Sequence, residues 1–397
     1  MMKNFALAVA SIVVVLLMLE LALRVAGVSF PTFYEEDAEL GGKLRPGAEG
    51  RFHGEGGSWT RINSDGMRDR EHTVVKPPGT VRIAVLGDSF AEALPVEQDK
   101  AFWAVMEREL ARAVPGKKIE ALNFGVSGYG TGQELIMLRR HVWKYQPDIV
   151  LLAFFTGNDV RNNSRALNRD PAVPYFAYQG DRLVEDESFR ESLRSLKLSP
   201  RALAVSNFLA GVRNHSRLVQ VVSEARAVMA RRATVKAADD MAAAEKTAVE
   251  GGEVGLDNAV YSEPRDAEWK DAWRVTEGLL AAMRDEVRAG GARFWVVTLS
   301  TGIQVHPDAA VRSAFMKRLG IANLYYPDER IRAFAEQRGI PVITLAPLMA
   351  SYAESHHVLL HGFRNAVPGF GHWNETGNRV AGERIAARLA GEIRADR

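Results

Sequence analysis

Four short stretches hold residue types that together can do chemistry. Ser89 stands in "GDSF", just past a run of apolar residues that ends at Gly87. "GVSGYGTG" follows, with Gly125, Gly128 and Gly130, then "GND" with Asn158, and, near the C-terminus, "GFGHWNETG" with His372. A serine hydroxyl is a poor nucleophile until a base takes its proton, and His372 is the credible base. The tetrahedral species that follows attack on an ester carries a developing negative charge. The backbone N–H groups of Ser89 and Gly128 and the carboxamide of Asn158 could donate to that oxyanion, and a glycine at 128 lets backbone come close. This is the inventory for acyl transfer through a covalent serine ester.

Each stretch also has a plainer reading: a turn at Ser89, a glycine loop capping a helix at 125–132, a turn or cap at Asn158, a packed histidine at 372. The other histidines show no zinc-like spacing, and "SHHVLLH" reads as a half-exposed segment. Tyr129 and Trp373 could stack on a sugar, with packing the simpler role. No metal or organic cofactor is called for.

The elements needed to bring the four stretches together are legible as alternating strands and helices. "VRIAVLG", "KIEALNFG", "PDIVLLAFF", "ARFWVVTLS" and "IPVITLAPL" are short apolar runs bounded by turn formers, the pattern of buried parallel strands. Between them lie helical spacings, the first with Asp99 as its expected N-cap. The result is an α/β domain with a mostly parallel sheet. Three of the four stretches immediately follow strands, and open α/β sheets bind ligands beyond the carboxyl ends of their strands.

Around this core the spacing predicts an anchor or uncleaved signal at 1–27, an irregular Gly/Pro-rich arm with one or two short strands at 28–80, core segments at 81–163 and 264–397, and a mostly helical insertion at 164–263. The insertion opens with a hairpin at "QGD" and carries an alanine- and charge-rich stretch expected to be a solvated helix. Phe5–Leu19 contains no charge. The segment reaches bilayer-spanning length if Glu20 lies near the headgroups, where it would pair with Arg24 at i, i+4. Lys3 favours an inside N-terminus, which puts the rest of the chain outside the cytoplasmic membrane.

The bulk composition excludes other classes. The chain has 397 residues with 51 basic and 49 acidic side chains, a net charge of +2, which argues against a nucleic-acid binder. It has no cysteine, so disulfides, thiolate metal sites and cysteine nucleophiles are excluded.

The four stretches, in this order, resemble the blocks of the SGNH/GDSL hydrolases. The resemblance covers about 81–160 and 264–397. It implies a three-layer α/β/α sandwich with a flavodoxin-like sheet, Ser89 as nucleophile, His372 as base, and Ser89, Gly128 and Asn158 as oxyanion donors. The combination with a membrane helix and a glycine-rich arm is similar to bacterial envelope members, some of which remove or transfer O-acyl groups on surface polysaccharides. The expected function is therefore a membrane-anchored serine esterase acting on acylated, most simply acetylated, exported carbohydrate. The alternatives are an O-acyltransferase using the same serine and a non-catalytic carbohydrate-binding or assembly protein on the same fold. One departure stands out: the family places an Asp three residues before the histidine, and here that position is Gly369. Either a Ser–His dyad operates, or a remote acid such as Asp159 or Glu375 substitutes, or the site is inert.

Overall fold

The structure, a computed structural model, describes residues 2–186, 188–189, 191, 200–234 and 256–395. An N-terminal helix α1 (Met2–Val25), with none of its residues buried, leads into the arm. The arm holds more order than one or two strands. It forms two antiparallel pairs, β1 (Tyr34–Asp37) with β2 (Gly41–Leu44), and β3 (Glu49–Arg51) with β4 (Trp59–Arg61). These are fastened to the main domain: Gly57 N–H donates to Pro95 O at 3.0 Å and the Ser58 hydroxyl to Leu94 O at 2.8 Å.

The domain begins with β5 (Thr80–Gly87), the one-turn helix α2 (Ser89–Glu92), α3 (Phe102–Ala113), β6 (Lys118–Asn123), α4 (Thr131–Met137) and β7 (Ile149–Phe155). Short helices α5 (Asp159–Asn162) and α6 (Arg165–Asn168) lead to the expected hairpin, β8 (Phe176–Gln179) with β9 (Arg182–Glu185). Two longer helices follow, α7 (Pro200–His215) and α8 (Arg217–Thr234). The rest of the alanine-rich stretch lies outside the described residues. The alternation then resumes through α9 (Ala267–Ala289), β10 (Arg293–Leu299), α10 (Ala309–Leu319), α11 (Tyr326–Gln337), β11 (Val342–Thr344), α12 (Leu345–His356) and α13 (Glu375–Ala395).

The central sheet has five parallel strands in the order β11-β10-β7-β5-β6. Counted along the chain this is 2-1-3-4-5, the flavodoxin-like doubly wound order, with its switch point between β5 and β7. Helices cover both faces. On β7, Ile149, Leu151, Ala153 and Phe155 face the core shared with α3, α12 and α13, while Val150, Leu152 and Phe154 face the core shared with α4, α9 and α11. Burial on both sides is why this strand is apolar throughout rather than alternating. In α9, Trp269, Trp273, Leu280, Met283 and Val287 recur at helical spacing and are buried, and Asp266 caps the helix by accepting the Trp269 N–H at 2.8 Å.

Two local expectations are corrected. Asp99 does not cap α3; it sits in the short turn Gln98–Lys100, and the Asn378 side chain of α13 accepts the Phe102 N–H instead, at 3.0 Å. The last strand is only three residues long. As an edge strand it pairs with β10 alone, and from Leu345 the chain turns helical to bury Leu345, Ala346 and Met349.

Candidate active site

The carboxyl ends of β6, β5 and β7 are neighbours, so the segments that follow them meet. Asp88 accepts the Phe90 N–H at 2.9 Å and caps α2, which holds Ser89 at the first helical position. Gly128 adopts φ +81° on the loop after β6, with open space over its Cα. That loop is held from below: Ser127 N–H donates to the Glu92 carboxylate at 2.9 Å, and Tyr34 of the arm donates its hydroxyl to the same oxygen at 3.0 Å. Asn158 follows β7, with its carboxamide within hydrogen-bond reach of the Asp88 carboxyl.

His372 comes from the segment just before α13. Its Nε2 accepts from the Ser89 hydroxyl at 2.8 Å. The Phe90 ring lies against the imidazole at 4.9 Å between centroids and meets Trp373 edge-on at 5.2 Å. Ser89 and His372, paired from the sequence, are thus in direct contact.

The acid behind His372 is neither of the two proposed from the sequence. Asp159 is buried and accepts the Phe155 N–H at 2.7 Å, and Glu375 is exposed and ion-paired with Lys100 at 2.6 Å. The partner is Glu55 of the arm. His372 Nδ1–H donates to Glu55 Oε2 at 2.6 Å, and the His372 backbone N–H donates to Glu55 Oε1 at 3.0 Å. The chain therefore carries a Ser89–His372–Glu55 relay rather than an isolated dyad. Asn365 clamps the turn that presents Glu55: its amide donates to Gly54 O and Gly56 O at 3.1 and 2.8 Å and accepts the Gly56 N–H at 3.0 Å. Gly371, at φ +81°, leaves room for the carboxylate, since a Cβ there would lie 2.3 Å from Glu55 Oε1. Gly369 forms the preceding turn, with its N–H on His361 O at 3.1 Å.

His361 shows that "SHHVLLH" is not uniformly half-exposed. His356 and His357 are exposed, but His361 is buried, and burial lowers its pKa to about 3. The neutral ring donates from Nδ1 to Gly371 O at 2.6 Å, and its Nε2 faces the Ser300 hydroxyl at 3.1 Å. Ser300 in turn accepts the Trp373 Nε1–H at 2.9 Å. This chain holds the Gly371 carbonyl and the Trp373 ring on either side of His372. Trp373 and Tyr129 are buried, which makes both of them packing residues.

The electrostatics beneath the serine are unusual. Burial pushes Asp88 up to about 6 and Glu92 up to about 7. Burial and mutual repulsion hold Glu134 and Asp159 well above the ordinary carboxyl range. Against this, Glu55 and His372 remain 20% and 32% exposed at their side chains, so the relay is open to solvent. A cleft of about 620 Å³ borders the site from the Gly56–Gly57 and Asn374–Glu375 side, walled by Leu359, Phe363 and Pro368.

The sequence signal for Glu55 was an acid set among glycines, "HGEGG", where backbone can approach another segment closely. That signal does not say which segment is approached, so it does not single out His372.

No protein-family model matches the chain, and no curated protein matches it. Among solved structures, an acetyl xylan esterase, AlAXEase, is similar at 11% identity and a TM-score of 0.39, over 78% of this chain and 100% of that one. A lipase/acylhydrolase from Enterococcus faecalis is similar at 14% identity and a TM-score of 0.35, over 79% and 96%. A two-domain esterase active on acetylated mannans is similar at 10% identity and a TM-score of 0.38, over 79% of this chain and 49% of that one. At these identities and scores the likenesses say nothing of activity; the strand order and the site geometry stand on their own.

Proposed function

We propose that the protein is a serine esterase of the SGNH/GDSL type, acting on O-acyl esters through an acyl-Ser89 intermediate. The observation that carries the reading is the continuous relay from Ser89 Oγ through His372 to Glu55, at 2.8 and 2.6 Å. His372 takes the serine proton as Oγ attacks the ester carbonyl, and Glu55 holds the Nδ1–H tautomer and stabilises the imidazolium that forms. The N–H groups of Ser89 and Gly128 and the Asn158 amide receive the oxyanion. His372 returns its proton to the leaving alcohol. Water then attacks the acyl-serine with the same base, releasing the acid. The missing acid was the ground for an inert, carbohydrate-binding reading, and Glu55 removes that ground.

The substrate reading is a short acyl group, acetyl in the simplest case, on exported carbohydrate. The exposure of His372 to water favours hydrolysis over transfer to a sugar hydroxyl.

The reading includes a retained membrane span in α1. Residues 2–19 extend roughly 27 Å, close to the hydrocarbon thickness of a bilayer. Glu20, beyond that stretch, pairs with Arg24 at 2.8 Å and accepts the N–H groups of Arg217 and Leu218 at 2.9 and 3.0 Å. Cleavage as a signal peptide would strip these caps from α8, which favours retention. With Lys3 inside, the esterase domain lies on the outer side of a bacterial cytoplasmic membrane.

The test is hydrolysis of a short-chain aryl ester by the full-length protein, with labelling by a serine-directed phosphonate. Ser89→Ala abolishes both under this reading; a mutant that keeps full activity or labels normally removes Ser89 as nucleophile.

A further inference from the structure

α7 is amphipathic in the reverse sense to a helix that packs on a core. Its polar side chains face the protein: Asn207 brackets Glu36, accepting its N–H at 3.2 Å and donating to its carbonyl at 2.9 Å, and Asn214 does the same to Thr32, at 2.9 Å each way. Its apolar residues face out. Val205, Phe208, Leu209 and Val212 lie at i, i+3, i+4 and i+7, one helical stripe, and are 59, 69, 61 and 53% exposed. Val219 and Val222 continue the exposed apolar surface onto α8. Exposed apolar residues scattered singly are ordinary, but a continuous stripe with a large aromatic at its centre marks an interaction surface.

Two observations identify what covers it. The first is continuity with the apolar surface of α1. The junction between α7 and α8 is fastened to the end of α1: Arg24 donates to His215 O at 2.6 Å, and Glu20 accepts from the Ser216 hydroxyl at 3.1 Å and from the first N–H groups of α8. The stripe therefore starts at the level where the span of α1 ends. The second is charge. Between residues 200 and 234 the chain has six arginines, no lysine, and Glu224 as its one acid; Arg213 and Arg217 donate to Thr32 and Ser29 of the arm, whereas Arg201 and Arg226 are exposed. A basic helix pair with an exposed apolar stripe is the composition of an interfacial membrane element facing anionic headgroups.

We infer that the α7–α8 pair docks on the surface of the bilayer that α1 spans, with Val205, Phe208, Leu209 and Val212 in the interfacial layer and the exposed Arg201 and Arg226 among anionic lipid headgroups. This rests on the reading of α1 as a span and adds a second, parallel contact to it. Because α7 grips the arm at Thr32 and Glu36, docking fixes the position of the segment that carries Tyr34 and Glu55 to the site.

The chain has no cysteine, so single cysteines report cleanly. The full-length protein is reconstituted in 3:1 phosphatidylcholine–phosphatidylglycerol vesicles containing doxyl lipids, with an environment-sensitive dye on Phe208→Cys, Val212→Cys, Leu16→Cys or Lys117→Cys. All four positions are exposed, so none of the variants removes a core side chain. Quenching at 208 and 212 several-fold above that at 117, together with quenching at 16, is the expected result. Quenching at 16 with 208 and 212 equal to 117 overturns the docking and leaves the span. Absence of quenching at 16 as well overturns both. Shielding of 208 that grows with protein density and ignores the doxyl lipid assigns the stripe to a second copy and also overturns the proposal.

Discussion

Replacing Glu55 by Gln tests the relay at the point where it departs most from the sequence expectation. The carboxylate lies 2.6 Å from His372 Nδ1 and is four-fifths buried at its side chain. When His372 takes the serine proton, an imidazolium faces that carboxylate with charge centres about 4 Å apart. At an effective dielectric of about 20 this attraction is worth about 4 kcal/mol. It is absent in the neutral ground state, so nearly all of it acts on the transition state, which corresponds to about three decades in rate. The amide can also donate to Nδ1 and impose the wrong tautomer, a defect that costs about four decades in a serine triad. The expected loss in kcat/KM for Glu55→Gln is therefore about 10³- to 10⁴-fold, most of it in kcat. The assay is short-chain aryl ester hydrolysis across pH, with a thermal melt to show that the fold is kept. The pH profile supplies a second readout. Removing a negative charge beside an imidazole disfavours its protonated form, so the acid limb of the residual activity moves to lower pH. A variant that keeps activity within about tenfold of wild type, with an unmoved acid limb, refutes the role of Glu55. So does a comparable loss in Glu375→Gln, whose carboxylate is occupied by Lys100.

Three further outcomes follow from the same geometry. Gly371→Ala places a Cβ where Glu55 Oε1 now lies and imposes a side chain at φ +81°, so it should reproduce most of the Glu55→Gln loss; steady-state kinetics on a folded Gly371→Ala protein check this. Asp88 and Glu92, raised to about 6 and 7 by burial, stabilise the fold while protonated. That contribution is complete below about pH 4 and is lost as pH rises through 6 and 7. Tm should thus fall between about pH 4 and 7 and level off above, and Glu92→Gln should remove up to roughly 3 kcal/mol of that fall, read from melts across pH. Asn365→Ala frees the Gly54–Gly56 turn from its clamp, so it should lower kcat more than it raises KM, with rates on two aryl esters separating the effects.

Much of the domain was legible because its strands are buried on both faces. β5, β7 and β10 stand out as apolar runs, and their strict βα alternation leaves few topologies. Ser89 and His372 were legible because they occupy turns that close a strand or open a helix, with glycines around them, where a nucleophile and its base are expected. Glu55 was not, because an acid among glycines marks a close backbone approach without saying which distant segment it meets. The arm resembles disordered sequence in its glycine and charge content. Its order comes from tertiary contacts such as Arg68, which is buried and donates to Glu92 O and Ala93 O at 3.0 and 2.8 Å. The outward stripe of α7 was obscured for a related reason: helical periodicity reveals that a face is apolar, and not which way that face turns.

The placement of Glu55 has a consequence for how activity is acquired. Glu55 and His372 are separated by 317 positions along the chain. Closing a loop of that length costs about 5 kcal/mol in chain entropy before any contact repays it. The relay thus belongs among the non-local contacts that a folding chain makes late. During synthesis the arm emerges early and waits for the last tenth of the polypeptide to deliver the base. A nascent or truncated chain holds the serine and the acid without the imidazole that joins them, so under the proposed esterase reading ester cleavage becomes a report of completed folding. On dilution from denaturant, helical signal should return before the first turnover.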